Sequence, residues 1–288
     1  MLQILMGAMS AASFGVADFM ASHSSRRLGA RSALTGMLLV STAVISMFMI
    51  LSPAADGLAV QRPWIACLHG MAMAAALLLF FRSMELGPVS VAAPIVASHP
   101  LFIMGFALAT GSRPGALQLT AMLLIVVGLM VVAAGNRQAR IVPTVDSLRS
   151  RRGALVCAFA ASAIYAVAIV SAQQAVRWSD DLVVLWLGRL SGLAFLVICS
   201  GLTRSVPRLP PRWWPFLVAH GLLDSAGLLF LLLGSTGELD EITAVVASTF
   251  TMITVLLARL FYGEQISPRQ LSGILAIFGS VALLSAGL

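Results

Sequence analysis

The stretches "GSRPGALQLTAMLLIVVGLMVVAAG" (111–135) and "GEQISPRQLSGILAIFGSVALLSAG" (263–287) align without a gap, 152 residues apart. Gln118-Leu119 matches Gln270-Leu271, and Ala134-Gly135 matches Ala286-Gly287. Two further matches fall at nearly the same spacing. His69-Gly70 recurs as His220-Gly221, 151 residues on, and Ala97-Ser98 recurs as Ala247-Ser248, 150 residues on. Shared apolar residues alone would mean little in a chain that is 59% hydrophobic and 10% charged, with a mean hydropathy of +0.98. A near-constant offset at three separate places marks a duplication.

Each half is a series of apolar runs of roughly 20 residues, the length that crosses a bilayer core. An unpaired backbone group in hydrocarbon costs several kcal/mol, so such runs must be helices. The short alternating segments of an outer-membrane barrel are missing. Ten segments follow, at about 2–22, 33–52, 64–84, 88–110, 116–135, 152–173, 182–203, 213–234, 240–260 and 269–287. The expected fold is an all-α membrane protein. Its first five-helix repeat is 1–135, its connecting loop is "NRQARIVPTVDSLRSRR" (136–152), and its second five-helix repeat is 153–288. Five crossings leave the chain on the opposite side, so the second repeat enters upside down. Inverted repeats of this kind place a substrate site between the halves near the midplane.

The net charge of +7 comes from Arg alone, because the chain has no Lys. These Arg residues sit between apolar runs, which makes them headgroup anchors and gives no basis for nucleic-acid binding. Fourteen follow odd-numbered segments and three follow even-numbered ones, so the odd loops are expected on the cytoplasmic side and both termini outside. Cys67, Cys157 and Cys199 lie in separate runs without metal spacing and read as small buried hydrophobes. No basic leader precedes the first run, which is expected to be a retained helix. There is no G-x-x-x-x-G-K-[ST], no G-x-S-x-G and no H-E-x-x-H. The expectation is therefore no ATPase, no enzyme, no catalytic residue, no cofactor and no metal.

A carboxylate at a helix centre costs about 2.5–3.5 kcal/mol on insertion scales, so it should face protein or a wet cavity. Asp224 lies at the centre of segment 8, and His220 sits four residues earlier on the same face. That spacing allows the two to share a proton, as a coupling pair or as a packing pair. His69 occupies the position in the first half that His220 occupies in the second. His99 is flanked by Pro94 and Pro100, which free backbone carbonyls and can kink segment 4. Arg189, well inside segment 7, can snorkel, pair with Asp224 or Asp18, or meet an anionic substrate group. Asp18 lies late in segment 1, aligned with Ser22 and Ser25. Ser162 and Tyr165, and Ser248 and Thr251, form hydroxyl stripes that line a site or join helices. The candidate cavity set is His220, Asp224, His69, His99, Arg189, Tyr165, Asp18 and Ser248, with Asp224 and His220 as proton-coupling candidates. Ser272, Ala276 and Ser280 form a small-residue packing seam.

The ten-helix arrangement resembles the drug/metabolite transporter superfamily, in its EamA-like form, over essentially the whole chain. "SFGVADFMASHSSRR" (13–27) resembles that family's first helix, and "MELGPVSVAAPIVASHPLF" (84–102) its passage from third to fourth helix. "FYGEQISPRQLSGILAIFGSVAL" (261–283) resembles its glycine-glutamate turn and last helix. The first half departs from the pattern, with Ser112 where the second has Glu264. The resemblance implies a secondary transporter in a bacterial inner membrane, exporting a small polar or amphipathic metabolite such as an amino acid. It also implies termini inside, against the Arg count. A lipid-linked sugar or nucleotide-sugar flippase and a non-transporting scaffold or sensor are the alternatives. The expected partners are a small-molecule substrate and the lipid bilayer, with a homodimer open as the assembly.

Overall fold

The structure is a computed structural model that describes residues 2–52, 62–109, 115–135, 145–234, 243, 246, 247 and 249–286. Its helices are α1 (Leu2–Leu28), α2 (Ala30–Leu51), α3 (Pro63–Leu86), α4 (Val89–Ala97), α5 (His99–Ala109) and α6 (Ala116–Gly135). After the connection come α7 (Val145–Ala175), α8 (Asp181–Leu202), α9 (Trp214–Gly234), α10 (Phe250–Tyr262) and α11 (Pro268–Ala286). Among the described residues, seven helical spans are long and apolar enough to cross a membrane. Leu119–Val132 and Phe250–Tyr262 are shorter apolar helical stretches.

The fold is two inverted five-helix repeats, and the packing displays the exchange between them. α1 packs on α9 as α3 packs on α7, and α2 packs on α9 as α3 packs on α8. α1 meets α10 as α7 meets α4 and α5. α6 against α11 and α2 against α8 are their own counterparts. The same relation holds atom by atom at the repeated His-Gly. A Cβ on Gly70 would run into the Gly188 carbonyl and Ser191, and one on Gly221 would lie 2.9 Å from the Met37 carbonyl oxygen and 2.5 Å from Val40 Cβ. Each obstacle in one half is the residue 151 positions from its counterpart in the other.

Three element boundaries differ from the sequence expectation. α1 runs on to Leu28, because the serines at its end bond back to their own helix: Ser25 Oγ donates to the Ala21 carbonyl and Ser24 Oγ to the Met20 carbonyl. α7 begins at Val145, inside the expected connecting loop. Segment 4 is two helices, broken at Ser98. Pro100 has no N–H for the Val96 carbonyl, so the ladder fails there. The freed oxygen accepts instead from Ser162 Oγ of α7 and from His99 Nδ1, each at 3.3 Å. Of the expected seam on α11, Ser280 is buried and Ser272 is exposed, and α11 also meets α6 at Gly273, where a Cβ would lie 2.9 Å from the Gly128 carbonyl oxygen.

Candidate functional site

Asp224 sits at the middle of α9 and is 7% exposed; Arg189 of α8, also 7% exposed, closes an ion pair with it at 2.7 Å. Ser41 Oγ of α2 donates to the same carboxylate oxygen at 2.8 Å, and Ser225 Oγ donates to Ser41 Oγ at 3.1 Å. Small residues bring these helices together, since Gly221 seats α9 against Met37 and Val40 of α2. A buried ion pair is tolerable only when its remaining lone pairs and protons find partners. Ser41 is such a partner, supplied by the opposite half.

The spacing argument offered Arg189 three roles, and it pairs with Asp224. His220 turns elsewhere on α9. Its ring stacks on Phe81 of α3, centroids 5.9 Å apart and planes 19° apart, and its Nδ1 is buried without a hydrogen-bond partner. His69, on α3, donates from Nδ1 to the Ala168 carbonyl of α7 at 2.9 Å. Its ring lies over Gly188, where a Cβ would come within 2.9 Å of His69 Cδ2. His69 and His220 thus sit at equivalent positions with different neighbours.

Asp18 is half-buried, and its Oδ2 is buried with no hydrogen-bond partner. Asp18 and Asp224 are near enough for their charges to act on each other, and Tyr165 lies in the field of Asp18, Asp224 and Arg189 together. Ser22 and Ser25 follow Asp18 on the unbroken helix α1, and their hydroxyls are used in packing. Ser22 Oγ donates to the Phe19 carbonyl at 2.7 Å and also meets the Tyr262 hydroxyl at 3.0 Å. His99 and Tyr165 are in ring contact at 4.7 Å, which joins α5 to α7 beside the helix break. Ser248 lies outside the described residues. Thr249 makes the turn equivalent to Ser98, with its Oγ1 bonded to the Val246 carbonyl as Ser98 Oγ is to Ile95.

The structure therefore centres on the Arg189–Asp224 pair, with Asp18, Tyr165 and His220 within reach of the Asp224 charge, His69 next to Arg189's helix and His99 next to Tyr165. Ser41, Ser225 and Phe81 belong to the same site and were not singled out from sequence. Their only signal was a hydroxyl or an aromatic ring in an apolar run, which packing residues share. Among the described residues no group of three His, Cys, Asp or Glu side chains could hold a metal.

An interior ion pair at the junction of two inverted five-helix halves agrees with what the whole chain matches. The EamA-like transporter family matches residues 1–134 and again residues 152–286. The chain belongs to the EamA-like transporter family. It is accordingly a multi-pass integral membrane transporter of the drug/metabolite superfamily. No curated protein matches it. Among solved structures, 22 chains match. One, titled "Crystal structure of protein", is 19% identical, with a TM-score of 0.63 over 98% of this chain and 96% of its own. At that identity the likeness speaks for the fold alone.

Proposed function

We propose that this EamA-like chain is a secondary transporter that exports a small polar or amphipathic metabolite, such as an amino acid, by alternating access between its two halves. The observation that carries this reading is the Arg189–Asp224 pair completed by Ser41 of the other half. An intramembrane charge defaults to a substrate or ion pathway, and inverted repeats place that pathway at their interface. The half-buried faces of Asp18, His69, His99 and Tyr165 are its lining. Arg189 would meet an anionic group of the substrate, and Asp18 or Asp224 a cationic one. Asp224 and His220 remain the groups proposed for proton coupling. The membrane is a bacterial inner membrane, with the Arg-rich loops in the cytoplasm.

Metabolites released by cells with and without the protein would identify the compound. Its flux would then be measured in proteoliposomes with and without a pH gradient. A compound whose release requires the protein and whose flux is lost in Asp224→Asn is the expected result. Flux indifferent to the pH gradient removes proton coupling, and no difference in any metabolite removes transport as proposed.

A further inference from the structure

One carboxylate fastens the Arg-rich end of the bundle. At the Arg-rich end, the Gly263-Glu264 turn after α10 reaches across to the other half. Glu264 accepts from the backbone N–H of Val89 at 3.0 Å and of Ser90 at 2.9 Å, which are the first residues of α4. A carboxylate there satisfies donors that a helix start leaves open and complements its dipole. Arg26, at the end of α1, binds the same carboxylate at 3.4 Å. Its guanidinium also donates to the Met84 carbonyl at 3.0 Å and the Gly87 carbonyl at 3.1 Å, and lies over the Tyr262 ring at 4.5 Å. One carboxylate thus ties the corner between α3 and α4, the end of α1 and the turn after α10.

The duplication puts Ser112 at the place in the first half that Glu264 holds in the second. In an inverted repeat the equivalent position belongs to the opposite face. A serine has no charge with which to pair an arginine or complement a helix start, so the first half cannot supply the same fastening. We propose that Glu264 is a charged latch that holds the Arg-rich mouth closed, so that the resting protein opens towards its Arg-poor face. This rests on the alternating-access reading above.

The test uses full-length protein with its three native cysteines replaced and a reporter, Tyr165→Cys, at a half-buried position of the proposed lining. Labelling by a membrane-impermeant maleimide is read from each face of oriented membrane vesicles. With Glu264 present, the reporter reacts from the Arg-poor face. Glu264→Gln keeps the size of the side chain and removes its charge; it should raise labelling from the Arg-rich face about tenfold or more, since hydrogen bonds to charged groups are the stronger class. Glu264→Asp should restore most of the bias. Equal labelling from both faces with Glu264 present, or no change on Glu264→Gln, overturns the latch. A reporter that reacts from neither face in any variant overturns the alternating-access reading instead. Should Glu264→Gln fail to fold, Arg26→Gln decides: it leaves Glu264 its two backbone donors and removes the paired charge, so labelling from the Arg-rich face should rise, and unchanged labelling overturns the latch.

Discussion

The broken fourth crossing of the first half and its counterpart in the second share a turn, and the rings beside that turn differ. Ser98 and Thr249 each bend their hydroxyl back to the carbonyl three residues earlier. Next to them, His99 touches Tyr165 in one half, and Phe250 touches Phe14 in the other, with centroids 6.0 Å apart. These are the same positions, 151 residues apart, filled once with polar rings and once with hydrocarbon. The same holds across the site: Arg189 and Asp224 correspond to Leu38 and Met73, and Asp18 corresponds to Ile169. Duplication kept the helix contacts, which depend on small residues at crossings. The chemistry was free to diverge, because a transporter needs one site and not two.

The largest effect expected follows from writing the first half into the second. Arg189→Leu alone leaves Asp224 buried without its counter-charge and should cost about 3–5 kcal/mol. Adding Asp224→Met removes the orphaned charge and should return most of that stability, since Leu38 and Met73 show that the framework accepts apolar side chains there. Thermal unfolding in detergent measures both variants. Transport should be absent in both. A double variant that folds no better than the single would mean that the two halves are not interchangeable scaffolds.

A next effect, of about 3 kcal/mol or more, is expected from Gly70→Ala, because the added carbon meets the Gly188 backbone, which cannot step aside. Gly221→Ala should cost less, about 2 kcal/mol, because its nearest obstacle, Val40 Cβ, lies at 2.5 Å where Gly70 meets the Gly188 carbonyl oxygen at 2.0 Å. Folded yield and thermal unfolding would rank them. The reverse order would break the reading that the first half's crossing is the tighter of the two.

Much of this framework was legible in the sequence. Run length, the odd number of crossings and the repeated His-Gly come from the chain alone, because the bilayer permits so few backbone solutions. Pro94 and Pro100 announced a kink in segment 4, since a missing N–H is a local fact, but not that the segment would divide into two helices at Ser98. The partner of Asp224 was legible only as one of three roles open to Arg189. His220, four residues away, looked like the natural choice, yet rotation around α9 sends its ring to Phe81 while Asp224 meets Arg189 and Ser41. Partners that arrive from other helices leave no spacing in the sequence. Ser248 was matched to Ser98 one residue out of step with the turn, because small-residue identities in a greasy segment are easily displaced.

Asp18→Asn tests the chemistry with the framework left alone. Its Oδ2 has no partner to lose, and the equivalent Ile169 shows that no carboxylate is needed for packing. Stability should change by about 0.5 kcal/mol or less. Flux of the exported compound should fall by about tenfold, equivalent to about 1.4 kcal/mol. Unchanged flux would remove Asp18 from the pathway and leave the Arg189–Asp224 pair to carry it.

The smallest effect concerns the break itself. Ser162→Ala installs the residue of the first half, Ala11, and takes one of two donors from the Val96 carbonyl. His99 still reaches that oxygen at 3.3 Å, so the cost should be about 1 kcal/mol. Pro100→Ala would supply the missing N–H, and with it Ser162→Ala should become nearly silent. In the second half the position of Pro100 is held by Thr251, which carries the N–H that proline lacks. A double-mutant cycle in thermal unfolding measures the coupling between 100 and 162. Additive effects would mean that Ser162 serves Ser98, 3.5 Å from its Oγ, and has no part in repairing the backbone that Pro100 interrupts.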